Sequence, residues 1–468
     1  MDVAVLSREK KKIVIIGANE FQLPLVEAAA RRGLETHVFA WEEGAVAREA
    51  ADFFYPVSIV EKEKILSLAA PLRPAAAATI GSDLAGITVN YLTNRLSLPG
   101  NPPETAVLAT DKPAMREAFR AAGLYTPRFL TFARGKTPGE PVCVPPQDAA
   151  RVSGEPVCVR PQDAARVSGE PVCVRSQDAA RVSGEALRTA SGGDYRPGRR
   201  DGRSCHPEIF DGWQWPLIVK PVDRSGSRGV TRVDDFRQLP PALELAFSCS
   251  FSGEAIVEEF IEGEEFSCEG ISFEGRHRLL QVTKKYTTEA PSYIERGHLE
   301  SAALTEKYLE MVKPTVFRAL DALHIRNGAS HTEVRVRPDG EVCLIEAAAR
   351  MGGDCIGSDL VPLTTGLDYV GMVLDAALGL PPSFSVSPLE GAREAAGIRF
   401  VFNGEDLRRV EEAAKKRSSG VVRQCFQAGN LENRPKDSAT RHGFCIFQGD
   451  ETWLREILTL PASDHRIG

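Results

Sequence analysis

The sequence predicts an α/β N-terminal part followed by strand-rich α+β parts, on three observations. A strand, a glycine turn, a helix and a second strand follow one another between Ile13 and Phe39. Apolar runs of strand length, several of them alternating, dominate residues 217–346. The composition, 43% hydrophobic and 26% charged over 468 residues, is that of a globular chain with material for roughly three domains.

The first strand is Ile13–Ile16, ending in Gly17-Ala18-Asn19. A helix pattern from Leu23 to Arg32 closes at Gly33, and Thr36–Phe39 is the second strand. This order is a right-handed βαβ unit and predicts a Rossmann-like domain over roughly residues 11–108. A dinucleotide fingerprint needs three glycines at fixed positions; only Gly17 is present, so NAD is not expected. Ala78–Asp83 reads as a later strand end and loop of the same sheet.

Met1 to Lys12 is polar and no apolar stretch follows, so no signal peptide is expected. No run of ~18 apolar residues occurs, so no membrane helix is expected either. The net charge of −7 offers no global attraction to nucleic acid or anionic membrane, so neither is an expected partner. Ten cysteines without a CxxC pair read as reduced thiols of a cytoplasmic protein. Cys205-His206 is either a metal-ligand pair or an ordinary loop, and no partners stand at ligand spacing.

Residues 139–183 hold an internal repeat: Gly139–Ser153, Gly154–Ser168 and Gly169–Ser183 are near-identical 15-residue units. Each offers only Val-Cys-Val and Ala-Ala as apolar content, which buries little surface. Residues 137–211 are therefore expected to be an insertion, with a short partner-binding solenoid as the other reading. Beyond it, the strand candidates are Leu217–Pro221, Ala255–Phe260, Glu265–Phe273, Arg278–Thr283, His331–Arg337 and Val342–Glu346. Helices are expected over Thr305–Leu323 and Leu367–Leu378. Residues 389–468 read as a small C-terminal α+β element ending in a helix near Thr452–Leu458.

Four segments carry chemistry. In His331–Glu346 two alternating strands flank Asp339-Gly340, a two-residue hairpin turn. Symmetric closure pairs Arg337 with Val342, Arg335 with Leu344, and Glu333 with Glu346. Two opposed carboxylates cost roughly 0.2–1 kcal/mol, a cost that a divalent cation removes; the other reading is a solvated face. The second segment is Pro216–Val230, where an apolar strand delivers Lys220 to a loop containing Ser225, Gly226, Ser227 and Gly229. Such a loop lets backbone N–H groups approach phosphates, or is simply a hairpin turn with a surface lysine. The third is Ile256–Phe266, an apolar strand entering an acidic turn, where Glu265 could meet ribose hydroxyls and the backbone near Phe260 and Ile261 an adenine edge. In isolation it reads rather as a solvated acidic turn. The fourth is Glu346–Asp354, where Arg350 stands beside Gly352 and Gly353 and could hold a phosphoryl or carboxylate group, or lie on a helix surface.

In this order the segments resemble the ATP-grasp superfamily, over most of the chain outside the insertion. The resemblance implies an ATP-grasp domain of two α+β subdomains over 109–388, interrupted by the insertion. It implies that Lys112, in the Asp111-Lys112 step, and Lys220 are the two ATP lysines, and that Ser225–Gly229 covers the phosphates. Glu258, Phe260 and Ile261 would form the adenine hinge, Glu265 the ribose carboxylate, and Glu333 and Glu346, thirteen apart, the metal acids. The cofactors implied are ATP and Mg²⁺ (or Mn²⁺). Many relatives carry Asn two residues after the second acid; here it is Ala348, so a third side-chain ligand is not expected. The pattern around Ile345–Asp354, and Glu295-Arg-Gly-His298, are similar to L-amino-acid ligases of the bacilysin-synthetase type and carnosine-synthase-like enzymes.

That resemblance implies an ATP-dependent carboxylate–amine ligase forming an amide or dipeptide through an acyl phosphate. Lys220 and Arg350 would be catalytic, and His331, Glu295, His298, Gly352 and Gly353 are substrate candidates. Glu295 and His298 read as surface-loop residues, and either could serve as the base. The partners are a small carboxylate and an amine; the resemblance allows a homodimer. Three rivals are an ATP-grasp carboxylase or purine-pathway ligase, a non-catalytic ATP-binding regulator, and a binding module led by the repeat.

Overall fold

A computed structural model describes residues 10–134, 207–383, 393–426, 431 and 435–459. The repeats at 139–183 and Cys205-His206 lie outside the described residues. The N-terminal strands β1 (Lys12–Ile16), β2 (Glu35–Ala40), β3 (Phe53–Pro56) and β4 (Ala76–Ala78) form a parallel sheet in the order β3-β2-β1-β4. β1 lies between β2 and β4, and its four C-terminal residues are fully buried, as a continuous apolar run requires of an inner parallel strand. Gly17, at φ +102°, turns the chain out of β1, and Pro24 opens the helix Leu23–Arg31 within its first turn. The helix Asp83–Leu96 starts where Ser82 accepts a hydrogen bond from the Ala85 amide. The loops after these four strands therefore gather at one edge, where open parallel sheets bind ligands.

A second, antiparallel sheet runs β5-β8-β6-β7, from β5 (Phe129–Ala133), β6 (Leu217–Pro221), β7 (Thr231–Val233) and β8 (Glu254–Glu259). Phe210, Trp213 and Leu243 are buried with it, so packed chain is present at Pro207–Phe210, inside the stretch read as insertion. The third sheet is antiparallel and eight-stranded. It comprises β9 (Glu264–Phe273), β10 (Arg276–Thr287), β11 (Glu295–Glu300), β12 (Gly328–Val336), β13 (Val342–Ala348), β14 (Ala395–Phe400), β15 (Val421–Phe426) and β16 (Gly443–Gly449). Their order is β13-β12-β9-β10-β11-β14-β16-β15. The C-terminal strands thus continue the central sheet, through β14 paired to β11. The helix Ala302–Ala322 covers one face, burying Tyr308, Val312, Val316 and Leu320 against Phe266, Val282 and Val334.

The β12–β13 hairpin differs from the symmetric closure expected. The Arg337 amide bonds to Glu341, so the loop is the three-residue Pro338–Gly340, with Gly340 at φ +86°. Proline presets the first loop position and glycine takes the left-handed one, the conformation of a three-residue hairpin loop. The register near the turn consequently pairs Val336 with Val342 and Arg335 with Cys343, not Arg335 with Leu344. Arg337 faces Glu341, not Val342. A bulge at Ile345 then inserts one residue, and Glu333 ends opposite Glu346 after all.

Candidate functional site

A cavity of about 170 Å³ lies between the small and the eight-stranded sheets. β6 delivers Lys220 to it, β8 and the turn after it Glu258, Phe260 and Ile261, and β12 and β13 Glu333 and Glu346. Ser225, Gly226, Ser227, Glu265, Glu295, His331 and Arg350 also line it. Lys112, the first residue of the helix Lys112–Ala121, also lines it. Its ammonium donates to the Arg224 carbonyl at 2.6 Å and stands 3.5 Å from Glu346.

Glu258 is spent on cations: it accepts from Lys220 Nζ at 2.6 Å and Arg116 Nε at 2.8 Å. Burial raises its pKa, but Arg116 and Lys220 outweigh burial and bring it to about 2. Its carboxylate thus holds Lys220 in place. Arg335 lies over the Phe260 ring at 4.6 Å and donates to the Ile261 carbonyl at 2.7 Å.

Lys285, on β10, is the buried hub of the acidic side. Its ammonium meets Glu333 at 2.8 Å, Glu265 at 2.9 Å and Glu295 at 3.8 Å. Burial opposes its charge, yet these carboxylates raise its pKa well above the ordinary value. Burial likewise penalises Glu333, but Lys285 and His331 hold it well below the carboxylate range, so it is ionised. Glu265 is lowered against burial by Lys285 and Arg335. Glu333, ionised and directly opposite Glu346 beside a lysine-lined cavity, fits a hard divalent cation. Among the described residues no group of three acidic, His or Cys ligands is poised for a metal, so the remaining positions would fall to phosphate oxygens and water.

Behind Glu333, His331 Nδ1 pairs with the fully buried Glu269 at 2.5 Å while its Nε2 stands 3.4 Å from Glu333. Burial works against the imidazolium, but Glu269 raises its pKa to about 9. Gly352 donates its amide to Glu269 at 2.8 Å, and a Cβ there would lie 2.6 Å from that carboxylate. Gly352 is therefore required by packing rather than pointed at a ligand. Gly353 lies against Gly81 in the lining of a second space.

That space is a crevice of about 460 Å³ sharing Ser225, Gly226, Arg228, Lys285, Glu295, His331, Glu333 and Arg350 with the first cavity. Its other wall comes from the loops after β1 to β4. Arg350 bridges the two: Nε and Nη2 donate to Asp83 at 2.6 and 2.9 Å and Nη1 to the Met351 carbonyl at 2.9 Å. It is thus half-buried and anchored, not on a helix surface. Glu295 and His298 are also not loop residues; they lie on β11, with His298 buried. Gly297 between them broke the strand pattern, and it is there because a Cβ would lie 2.4 Å from the Ile398 carbonyl of β14. His298 Nε2 meets Asp354 at 3.2 Å, and Arg441 grips Asp354 at 2.5 and 2.9 Å.

The Ser225–Gly229 loop carries positive φ at Gly226, Ser227 and Gly229. Ser227 donates to the Tyr293 carbonyl at 3.1 Å, and the Gly226 carbonyl accepts from the Ser438 amide at 3.1 Å. Ser438 also donates to Glu295. Sequence reasoning missed Asp83, Glu269, Lys285, Asp354, Ser438 and Arg441. Asp83 had a signal, since it follows a parallel strand's C-terminal end; the others are defined by partners far along the chain.

Residues 213–359 match the ATP-grasp domain family. Alanine–anticapsin ligase of Bacillus subtilis (strain 168) is 28% identical over 185 residues, covering 34% of this chain and 38% of that protein. The chain spans about a third of the length of the curated relatives it matches. Among solved structures, L-amino acid ligase from Bacillus licheniformis superposes with a TM-score of 0.66 at 21% identity, covering 96% of this chain and 98% of that one. N5-carboxyaminoimidazole synthetase from Staphylococcus aureus, complexed with ADP, gives 0.64 at 12% identity, covering 96% of each. No described helix is long and apolar enough to cross a membrane. Residues 213–359 are therefore similar to an ATP-grasp domain, within a fold that the chain shares with L-amino acid ligase.

Proposed function

We propose that this chain is an ATP-dependent carboxylate–amine ligase forming an amide or dipeptide bond. The observation that carries the proposal is the opening of one cavity into the other. A space holding Lys112, Lys220 and the opposed Glu333 and Glu346 runs directly into the crevice at the ends of the parallel strands. A nucleotide in the first would present its terminal phosphate to a carboxylate in the second.

A carboxylate is a poor electrophile at neutral pH. Transfer of the γ-phosphoryl to one carboxylate oxygen releases ADP and makes an acyl phosphate. The amine then bonds to the acyl carbon, the carbon–oxygen bond to phosphate breaks, and the amine gives up a proton. Lys112 and Lys220 would clamp the α- and β-phosphates. Glu333 and Glu346 would hold Mg²⁺, which neutralises and aligns phosphate oxygens. The Phe260–Ile261 backbone would read adenine, and Glu265 would accept from the ribose. Arg350, oriented by Asp83, would direct its remaining N–H donors at the acyl phosphate. The Ser225–Gly229 loop would keep water from the intermediate. Glu295 and His298 border the crevice where an amine would arrive, Glu295 within reach of the Ser438 and Ser227 hydroxyls.

The relatives' names support this reading: one is an alanine–anticapsin ligase and one fold neighbour an L-amino acid ligase. The second reading, a carboxylase or purine-pathway ligase, draws on the likeness to N5-carboxyaminoimidazole synthetase. Against it, the described residues that the N-terminal strands bring to the crevice include no Lys or Arg, and the crevice's cations Arg228, Lys285, Arg350 and Arg441, from other elements, are each already paired with a carboxylate. Phosphate release from Mg-ATP, measured against amino-acid pools with and without hydroxylamine, tests the proposal. Acid-dependent release with hydroxamate formation, lost in the Glu333→Ala/Glu346→Ala double variant, is expected. Release driven only by bicarbonate or a phosphoribosyl amine would transfer the assignment to the second reading.

A further inference from the structure

We propose that the carboxylate substrate carries a bulky apolar group, held against Trp41, Phe21 and Leu84. The inference rests on the ligase reading and names the class of acid. The crevice, at about 460 Å³, has the size of small-molecule pockets, roughly 300–1,000 Å³. Its two ends differ in chemistry. The inner end, shared with the phosphate cavity, holds Arg350, Lys285 and His331. The outer end is built from positions just past the parallel strands: Trp41 follows β2 directly, and Leu84 stands in the first turn of the helix after β4. Phe21 joins them, backed by the buried cluster around Ile356.

Trp41 is 50% exposed although it lines a pocket wall, so its ring offers apolar area that a bound group would cover. Leu84 adjoins Asp83, which anchors Arg350. Arg350, Leu84 and Trp41 line one crevice, so an acid whose carboxylate lies at Arg350 would share that space with both apolar side chains. Charge excludes one class of side chain: of the acids on this wall Asp83 is neutralised by Arg350, Glu43 remains, and the described residues of the wall add no cation. An anionic side chain would meet a carboxylate there, and a hydrogen or methyl side chain would leave the indole in water.

Hydroxamate formation by the full chain with Mg-ATP is measured for glycine, alanine, leucine, phenylalanine and glutamate, in wild type and Trp41→Ala. Phenylalanine binding is followed by calorimetry with MgADP present. Wild type is expected to favour phenylalanine and leucine over glycine and glutamate by at least about tenfold in kcat/KM, the scale of a filled apolar pocket. Trp41→Ala should remove most of that preference through KM and should weaken phenylalanine binding in step. Preference for glycine or glutamate, or an equal effect of Trp41→Ala on glycine and phenylalanine, would overturn the inference while leaving the ligase reading intact. Hydroxamate from no acid at all would sink that reading and the inference with it.

Discussion

Replacing Glu258 by Gln should destabilise the small sheet by about 3 kcal/mol at neutral pH. The carboxylate is 3% exposed and neutralises two buried cations, Lys220 and Arg116. Its pKa of about 2 against an ordinary 4.5 corresponds to about 3 kcal/mol of preferential stabilisation of the ionised form. That agrees with the ~3–5 kcal/mol usual when one partner of a buried pair is removed. Lys220 shows why one carboxylate is indispensable: burial lowers its pKa, Glu258 opposes that fall, and Arg116 adds to it. Because the folded value lies below the unfolded one, the Glu258 contribution is complete above pH 4.5 and disappears as pH falls through about 2. Urea midpoints by circular dichroism at pH 7 and pH 3 measure this; the gap between wild type and variant should narrow at the lower pH. A variant within about 0.5 kcal/mol of wild type at pH 7, or a gap independent of pH, would refute the reasoning. Lys220, released from its partner, should also raise the KM for ATP.

Glu300 works in the opposite sense. It is fully buried, and burial, only partly offset by hydrogen bonds from Thr283 and Thr364, pushes its pKa up to about 8. The folded value exceeds the unfolded one, so its contribution is complete below pH 4.5 and is lost as pH rises through 8, on the order of 5 kcal/mol in all. Glu300→Gln should therefore gain stability relative to wild type between pH 5 and 8 in thermal melts; parallel pH curves would contradict this. Ser438→Ala removes the hydroxyl that ties Glu295 beneath the Ser225–Gly229 loop. It should raise phosphate release per amide formed several-fold, with hydroxylamine capturing the surplus acyl phosphate; an unchanged ratio would deny the clasp a part in excluding water. Excision of residues 139–183 should leave ATPase activity within about twofold of wild type, whereas its loss would favour a role for the repeat in the site.

Much of the fold was legible because apolar period and turn chemistry are local. Ile13–Ile16, Gly17 and the following helix specify a βαβ unit within thirty residues, and the strand runs from Leu217 to Glu346 alternate or stay apolar as their burial demands. The opposition of Glu333 and Glu346 was also reached from sequence, but by two compensating departures: a loop one residue longer than the assumed turn, and a bulge at Ile345 that restores the register. Periodicity signals which face a residue takes, not where a ladder slips.

Tertiary structure decided the rest. Glu258 looks like a solvated acid beside Glu259, until the helix Lys112–Ala121 brings Arg116 to it from 142 positions away. Lys285 looks like half of a Lys-Lys pair, until sheet order sets β10 near β12 and places its ammonium between Glu265 and Glu333. Arg350 looks mobile, until Asp83 from the N-terminal sheet takes two of its nitrogens. The sequence by itself determined which charged and glycine-rich segments exist and which strands and helices carry them, because those depend on neighbours a few residues apart. Which charge neutralises which, and hence which carboxylates stay ionised and which cations stay directed at a ligand, was decided by long-range packing, because the Coulomb energy of a buried group depends on distance in space and not along the chain.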